Sequence, residues 1–499
     1  MSEEHELFVK RIGVVGVAQT YNNFKGIILL PIFTRILGSS GYGIWNLILI
    51  TVSVLQPFIL LSLQDAILRF LSPQSKEKIV QGVITVVITV LFTGTIISII
   101  FFFSSDFLAN IILKEPSATY IIKISAPFII LDSVNTILLS SFRVFGMIKK
   151  YAIILIFKTS LEIALIVFFI LSGFGLIGAV ISITIVAAIS LIIILFSIFS
   201  YAGFAKPDFL IIKPFLIFSL PLIPITLAQF VIQSSDRYVI GFYMGAEKVG
   251  IYSAAYGIGV VPLVLSTYLV YVLGPTVYNL YDNGKIDKAR MYLSYSWKYL
   301  LMLSIPSAFG LAILSRPLLL TMTTSKFVPD GVYIIPLVVL SIVFWGMEQI
   351  FMVSLLIFKR RKIFLIAFIC GALTNFILNI IFVPQYGILA AAVTTLIAYI
   401  IITVMIGYSS RRCFTFNLDF PFIAKCILAS TGMVLGIWIF NPVDIFGMII
   451  SVIIGIFIYF CLLFIQKSFG KGELQSIFKI LGLRKLYEKI FIRFDQIRK

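Results

Sequence analysis

The sequence is poor in charge. Only 12% of its 499 residues are Asp, Glu, Lys or Arg, about half the share of an ordinary soluble domain. It holds one histidine, His5, in a polar N-terminal stretch, so catalysis by a buried histidine or a histidine-held metal has no residues to work with. Cys370, Cys413, Cys426 and Cys461 are scattered, without metal-ligand spacing or the density of a disulfide framework. The opening "MSEEHELFVKRIG" is acidic where a secretory leader is basic, so no cleavage is expected. Long polar loops are missing too. The stretches 104–118 and 316–331 are the longest on their side of the chain and carry no paired-carboxylate motif. That leaves a membrane glycosyltransferase or polysaccharide polymerase only as a distant alternative.

What fills the chain instead is apolar. Hydrophobic residues make up 60% of it and mean hydropathy is +1.11. Runs of about 20 apolar residues, the length that crosses a hydrocarbon core, recur near 12–34, 42–63, 79–103, 119–141, 151–172, 176–200, 214–236, 251–275, 295–315, 332–357, 363–383, 387–409, 421–440 and 444–466. The pattern predicts an all-α polytopic membrane protein with fourteen transmembrane helices. β-Barrel strands would be shorter and alternating.

The net charge of +18 follows topology. With the N-terminus inside, alternate inner segments hold 28 of the 39 Lys and Arg. Outer segments hold six, at Arg35, Lys114, Arg237, Lys248, Arg316 and Lys326. Positive-inside bias therefore puts both termini in the cytoplasm of a multi-pass protein of the cytoplasmic membrane, and no nucleic-acid partner is needed. The last segment, 467–499, repeats Leu474, Ile477, Phe478 and Leu481 at helical spacing among Lys and Arg. It reads as an amphipathic tail that lies on anionic lipid or as a merely solvated one.

Two motifs recur. "LGSSGYGIWNL" (37–47) has a twin in "MGAEKVGIYSA" (244–254), and "FGLIGAV" (174–180) in "YGILAAA" (386–392). Gly38, Gly43, Ile44 and Trp45 match Gly245, Gly250, Ile251 and Tyr252 at one offset. Spans 1–6 (1–210) and 7–12 (211–410) are thus expected to be parallel repeats, two six-helix lobes that bind between them and alternate in access. Spans 13 and 14 (411–466) stand outside the repeat.

"SLPLIPITLAQFVIQSSDRYVIGFYMGAEKVGIYSAAY" (219–256), with Pro221 and Pro224, Asp236–Arg237 and the following G-I-Y, resembles polysaccharide flippases, as does "SLQDAILRFLS" (62–72). These belong to the superfamily of multidrug and toxin extrusion (MATE) transporters and the lipid II flippase. The resemblance implies a MATE-like fold and transfer of a polyprenyl-pyrophosphate-linked oligosaccharide, with polysaccharide assembly proteins as further partners. A multidrug/cation antiporter of the same fold is the alternative.

Charges inside spans need a reason, because each costs roughly 2.5–3.5 kcal/mol at mid-bilayer on insertion scales. Lys25 in span 1, beside Asn22, and the stripe of Gln229, Gln233 and Arg237 in span 7 are candidate substrate-binding groups. They would form a cationic central cavity for a diphosphate. Lys25 could instead pair with a buried acid, and Arg237 could reach headgroups at the outer interface. Asp132, Asp236 and Glu348 are candidate sites for a coupling cation, Na+ or H+; no other cofactor is expected. Lys158 with Glu162, and Asp65 with Arg69, are spaced as structural ion pairs. The prolines are expected to kink their spans.

Overall fold

The computed structural model describes residues 3–469 except 359 and 443, together with residue 473. The predicted tail at 474–499 lies outside the described residues. The first half comprises α1 (Glu3–Ile36), α2 (Gly38–Leu60), α3 (Leu63–Leu71), α4 (Lys76–Phe103), the short α5 (Ser105–Phe107), α6 (Ala118–Val144), α7 (Ile148–Phe169) and α8 (Gly175–Ala202). It continues with α9 (Ile212–Ser219), α10 (Ile223–Met244), α11 (Ala246–Gly259), α12 (Leu263–Asp282), α13 (Ile286–Ile313), α14 (Ser315–Met322), α15 (Val328–Ile357), α16 (Arg361–Tyr386), α17 (Ile388–Cys413), α18 (Phe420–Phe440) and α19 (Ile445–Ile465).

Among the described residues, eleven stretches are long and apolar enough to cross a membrane. One of them, Ile148–Ala202, holds the two helices α7 and α8. The two remaining predicted spans fall on less apolar stretches: α1, which carries the polar residues around Lys25, and the α11–α12 pair, which is broken. The architecture is consistent with fourteen crossings of a multi-pass membrane protein. The broad apolar faces left exposed, such as Phe92, Phe196 and Trp438, are what a lipid-facing surface requires.

Two spans are not the single helices that hydropathy predicts. Span 8 breaks at Val260–Pro262 between α11 and α12. Pro262 has no N–H for the carbonyl four residues back, and the chain turns with Val261 N–H donating to Ile258 and Leu263 N–H to Val260. Span 7 begins as α9 and passes through a 3-10 turn at Leu220–Leu222 into α10. The Pro221/Pro224 pair sits at this joint. The α9 part lies against α3, with Phe215 stacked on Phe70, whereas α10 lies against α16 and α17.

Helices α1, α2, α4, α6, α7 and α8 contact one another, and α12, α13, α15, α16 and α17 form a second group, with α18 on α13 and α19 on α18. The groups meet where α2 lies against α11. Gly43 and Gly250, the repeat-related pair, face each other there. A Cβ on Gly43 would run into the Ala246 carbonyl, and one on Gly250 into the Ser39 carbonyl. No other residue permits backbones this close. Each helix is entered through a glycine of positive φ, Gly38 at 70° and Gly245 at 83°.

Three further connections gather at the same end of the bundle, which we call the seam end. Ala246 N–H donates to the Leu113 carbonyl at 3.0 Å. Lys114 donates to the Tyr243 carbonyl at 3.0 Å, and Thr34 to the Met322 carbonyl at 3.2 Å. Tyr238 on α10 donates to Thr51 on α2 at 2.7 Å, which adds a side-chain bond across the groups.

Candidate functional site

A cavity of about 350 Å³ lies behind the seam, apolar over most of its lining but with one polar wall. Asn23 and Gly26 of α1, Tyr42 and Asn46 of α2, Arg237 of α10, and Ser253 and Tyr256 of α11 all line it. The polar residues of α1 around Lys25 do not all face one way. Asn23 and Gly26 face this cavity, but Asn22 and Lys25 turn to α7. Thr159 donates to Asn22 Oδ1 at 3.0 Å, and Lys25 Nζ lies 2.5 Å from Glu162.

The reason is Glu162. Its side chain is 3% exposed, and a buried carboxylate needs a cation. Lys158 lies 2.9 Å from Asp132 and 3.9 Å from Glu162, while Gln56 donates to the other Asp132 oxygen at 2.8 Å. Two lysines and two acids on α1, α6 and α7, with α2 contributing Gln56, thus make a network without net formal charge. The Lys158–Glu162 pair expected from the i,i+4 spacing is present, within a wider network in which Asp132 is the nearer partner of Lys158. Of the two readings open for Lys25, the structure shows the pair with a buried acid rather than a free cavity cation. Asp65 and Arg69 form no ion pair. Arg69 instead stands 4.7 Å over the Phe218 ring, which ties α3 to α9.

Arg237 does line the cavity, but it is buried rather than at an outer interface, because α10 runs on to Met244. Its guanidinium bonds Asp236 at 2.8 Å and the Gln233 carbonyl, and lies 3.9 Å from the Tyr256 ring centroid and 5.1 Å from that of Tyr252. Tyr252 also donates to Asp236. An aromatic face adds up to about 2 kcal/mol to a desolvated cation. Acid and rings together hold Arg237 with its charge already compensated. Gln229 is half-buried and Gln233 exposed, and neither lines this cavity.

Glu348 on α15 is fully buried. Gln349 donates to one of its oxygens at 2.9 Å, and the other has no hydrogen-bond partner among the described residues. Sequence reasoning missed a second buried network. Ser235 and Asn379 donate to Asn375 Oδ1 at 3.3 and 3.1 Å, Asn375 to Thr395 at 3.2 Å, and Thr394 to Asn379 at 2.8 Å. The i,i+4 spacing of Asn375 and Asn379 was its available signal. Tyr256, four residues after Tyr252 on the same face, was the signal for the ring pair around Arg237.

A second cavity adjoins the first. It is apolar, about 470 Å³, and runs between α13, α18 and α19 past Met302, Pro306, Met433 and Tyr459. Phe24, Val261 and Val264 line both cavities. The break in span 8 therefore stands where they meet.

Two helical groups with a cavity behind their seam define a two-lobed polytopic membrane fold. The same fold is seen in the structure of the lipid II flippase MurJ in an inward closed conformation (TM-score 0.75, 20% identity, 93% of this chain and 98% of that one). It is also seen in an inward-facing multidrug resistance MATE family transporter of the MOP superfamily (TM-score 0.67, 16% identity, 79% and 94%). The family model described as "Polysaccharide biosynthesis protein" matches residues 8–280, more than half of the chain, and the protein belongs to that family. Two curated relatives come from Haloferax volcanii. "Probable flippase AglR" is 30% identical over 166 residues, and "Probable low-salt glycan biosynthesis flippase Agl15" is 22% identical over 222. The matches cover 33% and 44% of this chain, and 34% and 47% of those relatives.

Proposed function

We propose that the protein is a flippase that carries a polyprenyl-pyrophosphate-linked oligosaccharide across the cytoplasmic membrane. The observation that carries this reading is the shared wall of the two cavities. A lipid-linked glycan is a long hydrocarbon joined to a hydrated, charged head. The polar wall of the first cavity offers amides, hydroxyls and Arg237 to the sugars, and the second cavity offers a dry groove to the hydrocarbon. Phe24, Val261 and Val264 mark where the hydrocarbon would pass from one cavity to the other; being apolar, they supply no group to hold the diphosphate. The names of the curated relatives and of the lipid II flippase support the same reading.

The diphosphate is met by exchange rather than by an unpaired cation. Lys25 is 29% exposed at its side chain, so its ammonium can leave Glu162 for a phosphate. Glu162 would keep Lys158 as its remaining cation. Arg237 can likewise trade part of its contact with Asp236. Access alternates as the two groups separate at the seam and close at the opposite end. Glu348 is the strongest candidate for a coupling proton or Na+.

The test is reconstitution into vesicles with a labelled polyprenyl-diphosphate oligosaccharide, followed by an enzyme that cuts the glycan only on the outer face. Active protein raises the cleaved fraction above that of empty vesicles. Substituting Gly310, on the apolar groove, by Leu should slow transfer. Transfer no faster than in empty vesicles, by protein whose unfolding profile is intact, would sink the proposal.

A further inference from the structure

A third groove lies away from the seam, on the lipid-facing side between α4 and α6. It measures about 490 Å³. Its walls include Ile99, Phe102, Phe103 and Tyr120, exposed by 52%, 41%, 76% and 62%. Surfaces of this kind on a membrane-spanning bundle meet acyl chains. The groove has a structural origin in Pro127, which lines it. Proline has no N–H for the carbonyl of Lys123, four residues earlier. Ser98, buried at the floor, donates to the Ala126 carbonyl at 2.7 Å and holds the two helices together there.

Lys123 is the one charged residue lining this groove. Its side chain is 33% exposed, and its ammonium lies 3.3 Å from Asp106 and 5.8 Å from the Phe102 ring centroid. Asp106 occupies one of the ammonium's three donors. From Tyr120 to Ile130 the groove follows α6 for about 15 Å, half the thickness of a hydrocarbon core. A cation and a tyrosine thus stand at the mouth of an apolar slot one leaflet deep.

We propose that this groove is a binding site for one membrane glycerophospholipid, with an acyl chain along α6 and its phosphodiester on Lys123. The site is separate from the two cavities behind the seam and does not depend on what crosses there. The occupant is recognised by two features together: an apolar chain in the slot and an anionic phosphate beside Lys123.

The full chain, purified in mild detergent, is offered phosphatidylglycerol and diacylglycerol of the same acyl composition, and retained lipid is counted by native mass spectrometry. Wild type should retain phosphatidylglycerol in preference to diacylglycerol. Lys123→Ala should reduce that retention about five-fold, the effect of one cation near membrane phosphate, and Lys123→Arg should preserve it. Thr95→Phe, at an exposed position in the groove, should displace both lipids by filling the slot. Lys114→Ala, a cation elsewhere at the seam end, should change nothing. Equal retention of the two lipids by wild type, or undiminished phosphatidylglycerol on Lys123→Ala, overturns the proposal. So does retention that inorganic phosphate abolishes while Thr95→Phe leaves it intact, because the site would then take free phosphate.

Discussion

Lys25 on α1 and Glu162 on α7 are joined at 2.5 Å, 137 residues apart in the chain. This pair draws the only lysine of the α1 membrane segment away from the cavity its neighbours line. It also makes that lysine's release dependent on something that outbids a carboxylate. Lys25→Ala should therefore abolish most transfer of lipid-linked oligosaccharide while the protein stays folded, since Glu162 still has Lys158. Lys25→Arg should keep more activity. Vesicle transfer measured beside thermal unfolding separates the two effects, and normal transfer by Lys25→Ala would remove this lysine from the mechanism.

Lys158 should behave differently. It faces both Asp132 and Glu162, whereas Lys25 bonds Glu162, so Lys158→Ala leaves Asp132 with Gln56 but without a cation. Removing one partner of a buried pair costs about 3–5 kcal/mol, and membrane abundance should fall more than for Lys25→Ala. Adding Asp132→Asn should restore part of the loss. A double variant no more stable than Lys158→Ala would show that the network is not the cause.

At the seam, Gly43→Ala or Gly250→Ala should push α2 and α11 apart, because overpacking of this kind costs about 1–3 kcal/mol. Cysteines at Thr51 and Tyr238, in a background lacking the four native cysteines and joined by a bifunctional thiol reagent that spans the length the tyrosine side chain now fills, report the change. Cross-linking should be efficient with both glycines present and fall several-fold with either alanine. Unchanged cross-linking would mean that the seam tolerates the added methyl.

Glu348→Gln keeps the size of a fully buried side chain and its contact with Gln349, so unfolding should move little. If Glu348 carries the coupling ion, transfer driven by an imposed proton or Na+ gradient should lose its dependence on that gradient. Gradient dependence equal to wild type in Glu348→Gln would assign coupling elsewhere.

Accessibility labelling checks the orientation. Single cysteines at Ser40, Glu115 and Gln385 should react from one face of the membrane, and one at Lys150 from the other. Labelling of Ser40 and Lys150 from the same face would break the assigned order of crossings.

The crossings were legible because a run of about 20 apolar residues has few other physical uses. The seam was legible in part, since the twin glycines announced a repeat. Their backbone contact could not be read from spacing, which does not tell which face meets which. The breaks at Pro221/Pro224 and Pro262 were visible as kinks but not as changes of partner. The site was hardest. Sequence shows that Lys25, Asp132, Lys158 and Glu162 lie in membrane segments, but a helix face is wide enough for a lysine to serve either a cavity or a neighbouring acid. Only the packing of α1 on α7 decides between them.

The glycine contact has a mechanical meaning. From Gly43 to the far end of α2 at Leu60 is about 26 Å of helix, but to its near end at Gly38 only about 8 Å. A contact with no side chains to compress acts as a fulcrum with unequal arms. A tilt of about 20° there would part the short arms by under 3 Å yet swing the long ones by roughly 9 Å, the scale of a hinge motion. Placed so near one end, the twin glycines would gear a slight loosening on one face of the membrane into a wide closure on the other.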